Sequence, residues 1–90
     1  MNEVKRNSLR KAISYLKSAR ILVETVCDKE QDAIENYPEN LQGTDSFRKM
    51  EDAAEDLESA GESIELAQEQ LQEVIVAICE AQTQIASAMR

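Results

Sequence analysis

The sequence predicts an all-α protein, an antiparallel hairpin of two long helices, and three observations carry this reading. The stretch Tyr37-Pro38-Glu39-Asn40-Leu41-Gln42-Gly43-Thr44-Asp45 holds the sole proline and one of two glycines, with helix-periodic sequence on either side. Beyond it, Met50, Leu57, Ile64, Leu71, Ile78 and Ile85 recur at a strict interval of seven, the repeat that left-handed supercoiled helices keep. The chain has one phenylalanine, two tyrosines and no tryptophan. Its prominent alanine, glutamate, glutamine and leucine favour helix over sheet.

Residues 2–36 read as the first helix. Asn2 is placed to cap it, and Glu3 suits the positive end of the helix dipole. Leu9, Leu16, Val23 and Tyr37 form one apolar row that Glu30 interrupts. Ala12, Ala19, Val26 and Ala33 form a companion row three residues later, and Ile13, Cys27 and Ile34 widen the stripe. Ile21 and Leu22 lie partly off this face and suggest a second contact surface.

The turn occupies residues 37–44. Proline disfavours helical geometry in the residue before it, so the first helix should stop near Asn36 or Tyr37. Pro38 suits the start of a single tight turn, Gly43 can take a positive φ, and Thr44 or Asp45 can cap the second helix. Tyr37, Leu41 and Phe47 are expected to plug this end as a small core, with a recognition loop as the functional alternative.

Residues 45–89 read as the second helix. Ala53, Ala60, Ala67, Val74, Ala81 and Ala88 trail its large apolar row by three residues, an arrangement expected to let the helices approach closely. Gly61, beside Ala60, is then explained by close contact or a slight bend, since glycine costs about 1 kcal/mol against alanine in a helix. Folding back at residue 42 sets opposed residue numbers at a sum near 84. Lys5, Arg10, Lys11, Lys17 and Arg20 then come alongside Glu65, Glu69, Glu73 and Glu80. Cys27 and Cys79 stay far apart, so an intrachain disulfide is not expected.

A 90-residue hairpin is short of buried surface. Ile21, Leu22, Val76, Ile85 and Met89 lie at or beyond the edge of a two-helix seam, the last two on an overhang. They predict self-association, as a homodimer forming a four-helix bundle.

The net charge of −8 is uneven. Residues 1–20 balance at +5, whereas Glu24 to Glu62 carry thirteen acidic and three basic side chains. The acidic balance argues against general nucleic-acid binding, and no segment has the ~20 apolar residues of a membrane span. No apolar signal core succeeds the first residues and the two cysteines form no metal or redox motif, so a cytoplasmic location is expected.

With no histidine, no phosphate-cradling loop and no cysteine paired to a base, neither an enzyme nor a cofactor or metal site is expected. The glutamate ridge from Glu51 to Glu69 lacks the Glu-x-x-His pattern of di-metal bundles. The acidic hinge half reads either as a solvated face or as a docking face for a basic protein surface, with Glu51, Asp52, Glu55 and Asp56 beside Tyr37 and Leu41.

The run Glu35 to Thr44, with Arg48, Met50-Glu51, Ala54, Leu57-Glu58, Ala60, Ile64-Glu65 and Ala67 after it, resembles small helical proteins of Firmicutes bacteria and their phages. These share a proline-glutamate-asparagine-leucine-glutamine turn before an alanine- and glutamate-rich helix. The resemblance covers roughly residues 28–75 and implies a phage or prophage accessory role. It brings no functional residues with it. The secreted Trp-x-Gly hairpin proteins are of similar size, but this turn has no tryptophan.

Overall fold

The computed structural model describes residues 3–89. Helix α1 spans Glu3–Glu35 and α2 spans Asp45–Ala88, joined through a single 3-10 turn at Glu39–Leu41. The two helices pack antiparallel along a rod of 75 × 17 × 15 Å. The cap expected from Asn2 lies outside the described residues.

The hinge is built from local hydrogen bonds. The Leu41 amide donates to the Pro38 carbonyl at 2.9 Å and the Gln42 amide to that of Glu39 at 3.3 Å. A 3-10 turn thus replaces the single tight turn expected after Pro38, which itself lies extended at φ −57° and ψ 133°. Gly43 does not take a positive φ, because the 3-10 turn has already reversed the chain. Thr44 is the cap of α2: its hydroxyl accepts from the Phe47 amide at 3.3 Å, a bond worth about 1 kcal/mol. Tyr37 and Phe47 close the hinge end with ring centroids 5.3 Å apart, while Leu41 stays 41% exposed.

Cross-helix neighbours keep the expected register. An added Cβ on Gly61 would meet Val23, the Gln68 amide reaches the Ile13 carbonyl, and Arg6 meets Cys79. Near the termini α2 runs past the start of α1, leaving Ile85 60% and Met89 81% exposed.

The seam differs from the expected one in one of its rows. In α1 it runs through Arg6, Leu9, Ile13, Leu16, Arg20, Val23, Cys27, Glu30 and Ile34, all shielded. In α2 it runs through Phe47, Met50, Ala54, Leu57, Gly61, Ile64, Gln68, Leu71, Ile75 and Ile78. Ala12, Ala19, Ala67 and Cys79 are partly covered at its edges. The large row meets its partner as expected. Its companion, however, lies four residues later, not three, so the alanine row does not form the seam. Ala53, Ala60, Val74 and Ala81 are exposed. The physical reason is area: Phe47, Ile75, Ile13 and Ile34 remove more apolar surface from water than alanines can.

Candidate functional site

The heptad order divides the rod lengthwise into two unlike sides. Positions directly after the large row line one furrow: Glu24 and Gln31 of α1 lie along it with Glu58 and Glu65 of α2. Asp28 and Glu62 extend it, and Glu51 and Glu55 continue it toward the hinge. This is the acidic side. Positions three residues after the large row fall on the opposite side for both helices, because an antiparallel pair sets like flanks together. That side carries Ala12, Ala19, Val26 and Ala33 from α1 and Ala53, Ala60, Ala67, Val74 and Ala81 from α2. Tyr15 and Leu22 border it, both exposed.

The charged side chains distribute accordingly. Along the described helices, the neutral side and its border carry only Lys5, Lys29, Lys49 and Asp56 as charges. The carboxylates of Glu24, Asp28, Glu51, Glu55, Glu58, Glu62, Glu65 and Glu69 all fall on the other side.

The sequence-predicted site residues are split by this division. Glu51 and Glu55 line the acidic furrow. Asp52 points outward along the rod's edge, and Asp56 lies at the border of the neutral side, so the four acids do not share one face. Tyr37 is half-buried against Phe47. Of the predicted self-association residues, Leu22 borders the neutral side. Ile21 and Val76 belong to the acidic side, with Val76 beside Ile75 and Cys79 in a shallow groove. Ile85 and Met89 remain on the overhang.

The expected charge pairing across the helices holds at Arg20, whose guanidinium is 3.7 Å from Glu65 and also 3.7 Å from Glu24. Arg10 turns instead to Glu3 and Asn7 on its own helix. Sequence reasoning missed Arg6, Arg20 and Gln68 as seam residues. Arg6 donates to Cys79 Sγ at 3.5 Å, to Gln82 and to Glu3. The Cys79 hydrogen bond first, and the Glu3 charge after it, hold the Arg6 guanidinium above its already high usual range, so it stays cationic. The Gln68 amide donates to the Ile13 carbonyl at 3.4 Å, and its own Oε1 is buried without a partner. The signal was present in the third row of the first helix, since Arg6, Ile13, Arg20, Cys27 and Ile34 are spaced by seven.

Cys27 and Cys79 are both free thiols. Among the described residues no group of three histidine, cysteine, aspartate or glutamate side chains is placed to hold a metal ion. No helix among them is long and apolar enough to cross a membrane. Comparison with protein-family models, curated proteins and solved structures found no match. The fold therefore defines the class: an all-α helical hairpin.

Proposed function

We propose that this chain is a non-enzymatic protein–protein interaction module. One observation carries the reading: a rod with a charge-poor, apolar side and an acidic side, each running along both helices. Apolar area left to water is a standing drive to association. The acidic side adds long-range selectivity for basic surfaces rather than much affinity.

The two sides suit two kinds of contact. The neutral side serves self-association, as an assembly module. The acidic hinge half docks on a basic protein surface, and its support is the local balance of −10 between Glu24 and Glu62 beside the hinge. The resemblance at the turn makes a host protein, modulated by a phage or prophage product, the natural target. Small-ligand sequestration is weaker, because the carboxylate-lined furrows and the groove at Ile75 and Val76 all lie open to solvent.

Affinity capture from lysate of the source organism tests the docking reading, comparing the native chain with one carrying Glu51→Lys, Asp52→Lys, Glu55→Lys and Asp56→Lys. Loss of a salt-sensitive partner from the variant is expected. A partner retained by the variant removes the acidic hinge from the interaction.

A further inference from the structure

We infer that the neutral side is the interface of a two-fold homodimer in which two rods pack lengthwise with their hinge ends opposed. This rests on the interaction-module reading and names the partner as a second copy of the chain.

Area is the first argument. The chain exposes 6794 Å², whereas a folded monomer of its 10.1 kDa exposes about 5,300 Å² by the usual size scaling. The excess of about 1,500 Å² per chain belongs to the whole surface of the rod; removing it in a pair would take a contact of about 3,000 Å², inside the ~2,000–5,000 Å² range of permanent homodimers. Only Ala54 and Ile75 are buried apolar residues among those described. A second hairpin over the neutral side turns the two-helix seam into a four-helix core. The alanines allow close approach, and Leu22 and Tyr15, 67% and 73% exposed, are the large side chains available to fill the new interior.

Charge selects the arrangement. The hinge half, residues 21–62, balances at −10, and the remaining residues at +2. A dimer with both hinges at one end sets −10 beside −10. With the ends opposed, each hinge half lies along a terminal half. That symmetry lays α1 on the partner's α1, antiparallel, so the net-positive first half of α1 lies along the net-negative second half of the other copy. Apart from Lys5 and Lys29, these charges sit off the contacting side and act at longer range. Like-charge juxtaposition disfavours the first arrangement and opposite charge favours the second. The acidic sides of both copies face outward and remain free for other contacts.

The two-fold axis then passes near Ala19, the midpoint of Glu3–Glu35, which meets its own copy, while Ala12 meets Val26. The test uses the full chain. Light scattering on a size-exclusion column should give twice the 10.1 kDa chain mass, and Ala60→Lys should return the mass to a single chain with its helical circular dichroism unchanged. With Cys27→Ala and Cys79→Ala as background, Ala19→Cys should form a disulfide dimer on mild oxidation. Ala12→Cys should cross-link to Val26→Cys when the two chains are mixed, and not to itself. A native chain that stays monomeric at every concentration reached overturns the dimer while leaving the capture experiment to judge the broader reading. A dimer that Ala60→Lys leaves intact, or in which Ala19→Cys does not cross-link, overturns the assigned face and symmetry.

Discussion

Gly43 has open space where a Cβ would stand, and its φ is not positive. Nothing in the hinge therefore requires glycine. Gly43→Ala reduces the freedom of the unfolded chain without straining the folded one, and should stabilise by about 0.4–1 kcal/mol. A rise in the urea midpoint at constant slope checks this; a fall would mean that the hinge backbone differs from the one described. Gly61 gives a related case inside the seam. A methyl there would lie 3.9 Å from Val23 Cγ1, an ordinary contact, so the close approach expected from sequence does not exclude alanine. Gly61→Ala should raise stability by about 1 kcal/mol through helix propensity, which for a domain of this size is roughly 4–8 °C in thermal midpoint.

At the scale of the element, the polar residues of the seam reinforce the register that the hinge imposes. Coiled helices with polar side chains at inner positions lose stability and gain a unique alignment. Here Arg20 reaches Glu65, and Gln68 reaches the Ile13 carbonyl, at the same level of the rod. Gln68 carries a cost because its Oε1 is buried without a hydrogen-bond partner, as are the Nε atoms of Arg6 and Arg20. Gln68→Leu removes that group and adds apolar contact, and should stabilise by about 1–2 kcal/mol. Chemical denaturation measures this directly. A loss of stability instead would show that the amide bond to Ile13 outweighs the unsatisfied oxygen. The Arg20–Glu65 pair is partly exposed and contributes little energy, of order 0–1 kcal/mol. Its effect is on alignment.

For the whole molecule, the proposed dimer would couple stability to association. With a second copy over the neutral side as proposed, the thermal midpoint should rise with protein concentration. Scanning calorimetry across a broad dilution series checks this, and a midpoint independent of concentration would indicate a hairpin that stands alone.

Much of this architecture was legible in the residues themselves. Pro38 stops one helix, Thr44 starts the next, and the heptad row from Met50 to Ile85 gives the second helix its apolar seam. Those are local signals, each tied to backbone sterics or to a side chain bonding its own helix end. The register near 84 came from the hinge position alone, because two straight helices joined by a short turn have little freedom to slip. The lengthwise division into sides was not legible. At 3.5 residues per turn, rows three and four residues after the large row lie at equal angles, about 51°, on either side of it. Local sequence cannot choose between them. Hydropathy favoured the alanine row, since its competitor contains Gly61, Gln68, Arg6 and Arg20. Packing chose the other row, because Phe47, Ile75 and the isoleucines of α1 bury more area and long polar side chains can reach out past them. The sequence by itself determined two helices, their hinge and their register; only the tertiary contact decided which flank became the seam, and so which flank was left exposed.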